Sequence, residues 1–166
     1  MKLIFGIALL GAAAIAPAVT LQFAANLTGA QEVVPSGSRV TSTITISVDD
    51  STGVITSGSG TLSQAFSTAI TGFHIHEAPI GVNGGVKVDI GPGAFSGTNI
   101  VFSGQVIPAA TYAAMKLGNT YFNIHTSQFG GGEIRGQIEA VPEPATLAGV
   151  ALGLAALARR RRSGSR

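Results

Sequence analysis

Within the stretch Val40 to Val48, polar and apolar residues alternate from Thr43 onward, and shorter stretches of the same alternation lie on either side. Successive side chains of a β-strand point to opposite faces, so this pattern predicts strands with one buried face. Turns rich in Gly, Pro, Asn, Asp and Ser separate about eight such strands. The predicted strands are 21–27, 40–48, 54–62, 69–76, 86–90, 99–107, 120–125 and 133–139.

A single segment of the body, Pro108 to Leu117, has helical character instead. Pro108 stands near its start and Gly118 follows its end, as is common at the two ends of a helix. Many short strands with one short helix predict an all-β protein, an antiparallel β-sandwich of Greek-key, superoxide-dismutase-like or immunoglobulin-like type.

The N-terminus has the pattern of a secretory signal peptide. Lys2 precedes an apolar run, and Ala16 and Ala18 are small residues of the kind that signal peptidase recognises. We expect residues 1–18 to be removed by that enzyme, so that the folded domain covers residues 19–140. The alternative is a buried first helix.

Residues 141–166 form a third region with a different composition. Pro142-Glu143-Pro144 is followed by an uncharged run, 145–158, and by four arginines, Arg159, Arg160, Arg161 and Arg162. Basic residues beside an apolar segment favour the cytoplasmic side of a membrane. We therefore expect a hydrophobic C-terminal helix that inserts transiently into the inner membrane, with the body outside. The alternative is a core helix with a basic end.

Charge excludes one class of partner. Between residues 19 and 141 there are four basic and seven acidic residues, so the basic balance of the whole chain comes from its ends. Nucleic-acid binding needs clustered Lys and Arg to neutralise phosphates, and the body has no such cluster in its sequence. The sequence also contains no cysteine, which excludes disulfides and thiolate metal sites.

The candidate chemistry lies in two similar stretches, 72–77 and 121–126. Alternation places His74 and His76 on one face of the first predicted strand, and His125 on the corresponding face of the second. If the strands pair, all three histidines of the chain share one patch. Three imidazoles can hold a single copper or zinc ion, with Glu77 or Glu133 orienting a ring.

The same patch has a purely structural interpretation. Asn123, Glu133 and Arg135 would join the histidines in a hydrogen-bonded network that fixes loops at one end of the sandwich. No serine lies in a nucleophile-elbow motif and no carboxylate pair stands out, so we predict no enzymatic activity. Few aromatic residues are present to bind sugars, although an extracellular polysaccharide or matrix partner remains compatible with the sequence.

The tail resembles the PEP-CTERM sorting signal, which combines a Pro-Glu-Pro motif, an apolar helix and a terminal arginine cluster. The resemblance implies a Gram-negative bacterium in which an exosortase cuts near Pro142, Glu143 and Pro144. It also implies export, with the product released or attached at the cell surface.

The body resembles the CHRD domain in three blocks that occur in the family's order. They are Leu27-Thr28-Gly29-Ala30-Gln31-Glu32-Val33-Val34-Pro35, then Phe73-His74-Ile75-His76 with Gly81-Val82-Asn83-Gly84, then Tyr121-Phe122-Asn123-Ile124-His125-Thr126 with Gly132-Glu133-Ile134-Arg135-Gly136-Gln137-Ile138. Residues 72–77 are also similar to the copper-binding strand of copper/zinc superoxide dismutases. That family's dinuclear site needs more histidines than the three in this chain.

Two hypotheses follow. The first is a non-enzymatic exported β-sandwich module, sorted to the cell envelope, cell surface or extracellular matrix. The second is a mononuclear copper- or zinc-binding protein with redox activity that uses His74, His76 and His125.

Overall fold

The alternating stretches form one antiparallel sheet of ten strands. A computed structural model describes residues 19–142. The elements are β1 Thr20–Thr28, β2 Thr41–Asp49, β3 Ile55–Leu62, β4 Ile70–Glu77, β5 Val86–Asp89, β6 Phe95–Ser96, β7 Asn99–Phe102, α1 Ala109–Lys116, β8 Thr120–Thr126, β9 Ile134–Gln137 and β10 Glu139–Ala140. The strand order is β5-β4-β8-β9-β1-β2-β3-β7-β6, and β10 pairs with β1.

The sheet curls back on itself, and the apolar core lies inside the curl. The ring of Phe73 on β4 lies 5.5 Å from that of Phe95 on β6 and 5.4 Å from that of Phe102 on β7. These strands belong to opposite ends of the sheet order, so their contact requires the sheet to bend into a half-barrel. The predicted all-β, sandwich-like fold with one short helix is confirmed.

Strand β2 illustrates how alternation produces this core. Ile44, Ile46 and Val48 are at most 1 % exposed, while Thr43 and Thr45 on the opposite face are exposed. Burying apolar surface at about 25 cal/mol per Å² is the main favourable term in folding. The sequence pattern of this strand therefore decides both its pairing register and the face that it buries.

Helix α1 closes one end of the half-barrel. Pro108 is its N-cap, and Tyr112 and Met115 point into the core. Gly118 follows the helix with a φ of 72°, a left-handed conformation that favours glycine. The chain can therefore turn sharply into β8.

Two predicted strands differ from those observed. The strand expected at 99–107 ends at Phe102, and Val106 makes only an isolated bridge to Val54. The strand expected at 133–139 is divided at Ile138, whose N–H donates to the carbonyl of Thr120 while the chain moves on to pair with β1. The hydrogen-bond ladder is interrupted at Ile138 because the chain stops pairing with β8 and begins to pair with β1. Alternation in the sequence does not reveal such a change of partner.

The expected signal peptide, residues 1–18, and the tail from Glu143 to Arg166 lie outside the described residues. Within residues 19–142, no helix is long and apolar enough to cross a membrane.

Candidate metal centre

The antiparallel pairing of β4 with β8 brings the two histidine stretches together. His74 lies opposite Asn123, and Gly72 lies opposite His125. Phe73, Ile75, Phe122 and Ile124 fill the core from one face of these strands and are completely buried. The histidines therefore share the other face, as their spacing predicts.

The three imidazole rings contact one another. Ring centroids are 4.9 Å apart for His74 and His125, and 5.6 Å apart for both His74 with His76 and His76 with His125. One ligand nitrogen from each residue lies within 4.8 Å of the others. Gly72 makes room for this packing, because a Cβ at that position would lie 2.6 Å from Cε1 of His74.

Backbone carbonyls fix the orientation of two of these rings. Nδ1 of His76 lies 2.9 Å from the carbonyl oxygen of Gly84, and Nδ1 of His125 lies 3.0 Å from that of Gly130. A carbonyl only accepts, so each Nδ1 carries the proton and donates it. In the neutral rings the lone pair is then on Nε2, and both Nε2 atoms are buried without a hydrogen-bond partner.

A carboxylate lies near His74. Its Nε2 lies 3.5 Å from Oδ1 of Asp89 on β5, and its Nδ1 is buried without a hydrogen-bond partner. A carboxylate or carbonyl behind each imidazole is the usual support of a metal-ligating histidine, because it sets the tautomer and the ring orientation. His76 and His125 have such support from carbonyls, and the exposed Asp89 lies near His74.

Burial also keeps two of the rings neutral. Desolvation lowers the pKa of His76, reinforced by His125, His74 and Arg135 and opposed by the hydrogen bond to Gly84. Desolvation likewise lowers the pKa of His125. A neutral imidazole is the form that ligates a metal ion, so these shifts favour ligation at neutral pH.

A buried cation lies beside the histidines. The ring of Tyr121 stacks on His76 at 5.0 Å, and the Arg135 guanidinium lies 3.4 Å from the centre of the Tyr121 ring. Arg135 is 1 % exposed and donates to the carbonyl oxygens of Val82 and Pro79. This side chain therefore holds the loop that covers the histidine face.

The other residues of the predicted structural patch lie nearby but in separate contacts. Asn123 is 2 % exposed, with its Nδ2 3.5 Å from the Gly131 carbonyl oxygen. Glu133 is also buried, and it accepts hydrogen bonds from Thr126 at 2.6 Å and from Ser38 at 2.8 Å. Asn123 therefore lies under one loop, while Glu133 ties β8 to the segment before β2.

The carboxylates expected to orient the histidine rings have other partners. Glu77 accepts a hydrogen bond from Thr111 on α1, and Glu133 accepts its hydrogen bonds from Thr126 and Ser38. The carbonyls of Gly84 and Gly130 hold two of the rings instead, and Asp89 lies near the third. Backbone groups carry no sequence signal, so only Asp89, the fourth residue of the predicted strand 86–90, could have been suspected.

The outer face of β4 and β8 is covered rather than open to solvent. The sequence predicts that the histidines point away from the core. His76 is nevertheless only 7 % exposed, and His74 and His125 are partly buried. Segments 78–85 and 128–133 lie over this face and supply the carbonyls that the histidines and Arg135 contact. These segments convert a sheet surface into a second, polar interior.

Glu32 is a member of this interior that the sequence did not single out. Its carboxyl is 7 % exposed, and Oε1 lacks a hydrogen-bond partner. Burial raises the pKa of Glu32 to about 7, against the lowering effects of Arg135 and Asn123. Burial therefore shifts this carboxyl toward its protonated form.

Comparison with known proteins matches two parts of the chain. Residues 23–138 match the CHRD domain, and residues 140–162 match the PEP-CTERM protein-sorting motif. No curated protein and no solved structure matches the chain. The sorting motif implies export to the cell envelope or surface and processing by an exosortase. The chain belongs to the CHRD domain family and carries a PEP-CTERM sorting motif at its C-terminal end.

Proposed function

We propose that the domain is a non-enzymatic module of the cell surface that binds one copper or zinc ion through His74, His76 and His125. The observation that carries this proposal is the convergence of three imidazoles, each of which offers one ligand nitrogen within 4.8 Å of the others. Each ring also keeps one buried nitrogen without a hydrogen-bond partner. Leaving buried polar atoms without partners costs about 1–3 kcal/mol each, and a metal ion would satisfy all three at once.

The ligand set selects the class of metal. Imidazole nitrogens suit copper and zinc, whereas calcium and magnesium prefer oxygen ligands. Nitrogens bound to one such ion at about 2.0–2.1 Å stand at most about 4 Å apart, so the rings need to move inward by less than about 1 Å. The partly buried His74 ring, which lies over Gly72, has the space to make such a movement.

The chemistry supports storage or structural use of the ion rather than turnover. The ligand atoms of the histidines are buried beneath two loops, which restricts access of a substrate to the ion. At the cell surface the same ion would stiffen a module that contacts polysaccharide or other matrix components.

Metal content of the exported protein tests the proposal. After exposure to copper or zinc and desalting, we expect about one ion per chain, and loss of that ion in the variant H74A/H76A/H125A. The matched control is D49N/D50N, which neutralises an acidic pair at the turn after β2 and should retain the metal. Substoichiometric metal in the unchanged protein, or full retention in the triple variant, would contradict the proposal.

A second variant tests the geometry of the site. The Cβ of Gly72→Ala would displace the His74 ring, so we expect metal affinity to fall by about tenfold or more through loss of one ligand. The exposed Gly93 has no neighbour within 4 Å of its Cβ position, and Gly93→Ala is the control. Equal affinities in the two variants would place the ion elsewhere.

The route to the surface forms part of the same proposal. Signal peptidase would remove residues 1–18, and the apolar run 145–158 would hold the precursor in the inner membrane until exosortase cleaves near Pro142. Deleting residues 142–166 should release the domain from this route and change its location. An unchanged location in cell fractions would refute the sorting step.

A further inference from the structure

Exposed apolar side chains gather where the chain leaves the folded domain. Ile80, Val141 and Pro142 line one cleft, and Val33 and Val34 line another together with Asn83 of the same 79–83 loop. Ile80 is 75 % exposed and Val34 is 82 % exposed. Val33, Val34, Ile80, Val82 and Val141 are called the exit patch below.

The domain holds the last part of this chain firmly. β10 pairs with β1 at Phe23 and Ala24, and the N–H of Val141 donates to the carbonyl of Gln22 at 2.8 Å. Only residues 143 and 144 then separate Pro142 from the apolar run that begins at Ala145. Extended chain spans about 3.3–3.6 Å per residue, so Pro142 lies within about 10 Å of the start of that run.

A connection of about 10 Å keeps the folded domain close to the surface of the bilayer. The polar zone on each side of the hydrocarbon core is only about 5–8 Å thick. With the run 145–158 inserted, as the proposed function requires, Ile80 and Val141 come close to the lipid headgroups because they line the same cleft as Pro142. Val33 and Val34 border the other cleft of the same 79–83 loop. A membrane-bound precursor thus has its domain seated on the bilayer instead of tethered at a distance.

The patch is suited to contact with lipid. Arg135 holds the carbonyls of Pro79 and Val82, and Gln137 donates to that of Ala78, so the loop carrying Ile80 is braced from below. Glu32 and Glu139 are the only charged residues that line the two clefts. Contact through apolar side chains without Lys or Arg predicts weak dependence on salt.

We propose that the exit patch rests on the lipid bilayer in the tail-inserted precursor. The inference depends on the tail insertion described under the proposed function. Each apolar side chain that enters the headgroup zone adds about 25 cal/mol per Å² of surface removed from water. Docking would fix the orientation in which the Pro142 to Pro144 motif meets exosortase.

Site-specific labels test the docking, since the natural chain has no cysteine. Full-length chains carrying Ile80→Cys, Val34→Cys or Val101→Cys receive an environment-sensitive fluorophore and are reconstituted into phosphatidylethanolamine/phosphatidylglycerol vesicles that contain nitroxide-labelled lipid. Val101 is the control, since it is 70 % exposed on β7, three strands from β1 in the sheet order. We expect labels at 80 and 34 to be quenched at least twofold more strongly than at 101, at both low and high salt.

The outcomes separate this inference from the tail insertion on which it depends. Chains that resist alkaline extraction from the vesicles but show equal quenching at all three positions would overturn docking alone. Chains that are extracted would overturn both insertion and docking. Protection of positions 80 and 34 that appears only when exosortase is added would assign the patch to that enzyme and overturn the lipid proposal.

Discussion

The two faces of β4 and β8 are both buried, yet they are buried in different ways. Phe73, Ile75, Phe122 and Ile124 on the inner face contact other apolar side chains from the same curled sheet. On the outer face, His74, His76, Asn123 and His125 lie beneath loops and contact backbone carbonyls and one another. The inner face is stabilised by the apolar surface that it removes from water. The outer face is stabilised by hydrogen bonds, and each of its buried donors and acceptors needs a partner.

The two faces therefore differ in whether they contain buried polar atoms that lack a hydrogen-bond partner. A dry apolar core is satisfied by packing alone. The polar layer keeps several buried atoms without partners, among them Nε2 of His76, Nε2 of His125 and Oε1 of Glu32. Buried polar atoms without partners are positions where a ligand or an ordered water can bind, and this is the reason for proposing the metal site on the outer face.

The largest effect is expected on the inner face. Phe73→Ala removes a fully buried ring that contacts three other phenylalanines, and we expect the free energy of unfolding to fall by about 3–5 kcal/mol. Urea denaturation measures this loss. A loss below about 1 kcal/mol would show that the curled sheet does not enclose the core as described.

On the outer face, Arg135→Met should cost somewhat less, about 2–4 kcal/mol, because the aliphatic stem remains while two carbonyls lose their donor. The exposed Arg39 offers a matched control, and Arg39→Met should stay within about 0.5 kcal/mol. Similar stabilities for the two variants in urea would remove Arg135 from its role in holding the loop.

Glu32 gives the polar layer a pH dependence of its own. The folded-state pKa is raised from 4.5 to about 7, so the folded protein binds the proton more tightly and the resulting stability, up to about 3 kcal/mol, is lost as pH rises through 7. Glu32→Gln should therefore lose less stability than the unchanged protein between pH 4.5 and pH 8.

This difference is measured by urea denaturation at the two pH values. The depressed pKa values of His76 and His125 act in the opposite direction, adding stability above pH 6.5 that is lost on acidification, and they act in both proteins. Exposed Glu139→Gln serves as control. Parallel pH profiles for Glu32→Gln and the unchanged protein would contradict the assignment.

Metal binding should stabilise the folded protein through the outer face alone. At free copper or zinc 100-fold above its dissociation constant, binding to the folded state alone adds about 2.7 kcal/mol, measured as a higher denaturation midpoint that a chelator reverses. Phe73→Ala should keep this increment and H74A/H76A/H125A should lose it. An increment that survives in the triple variant would contradict the proposed site.

The smallest change in the free energy of unfolding is expected at exposed strand positions. Thr45 is exposed on β2, and its hydroxyl is 3.4 Å from that of Ser59. Thr45→Val should change the free energy of unfolding by less than about 0.5 kcal/mol in the same urea assay. A larger loss would indicate that this exposed face contributes to stability.

Alternation in the sequence was sufficient to predict the inner face. Phe73, Ile75, Phe122 and Ile124 follow the period of two. The same period put the three histidines on corresponding faces, and they share one patch because the two strands pair. It also misplaced the ends of two strands, since Ile138 changes partner at a position with no local marker.

The outer face could not be predicted to the same depth, because its partners come from elsewhere in the chain. Whether His76 is exposed depends on a loop that Arg135 holds from another strand. The supports at Gly84 and Gly130 are carbonyls, which every residue possesses. Glu32 acquires its raised pKa only from burial in the completed fold.

The position of β1 has a consequence for the order of events during export. β1 pairs along its whole length with β2, and its other edge is completed by β9 and β10, more than a hundred residues later in the chain. Such high contact order makes closure slow. For a chain that crosses the membrane unfolded, closure would have to wait until residue 140 has crossed, so completed folding and exposure of the sorting motif would be nearly simultaneous.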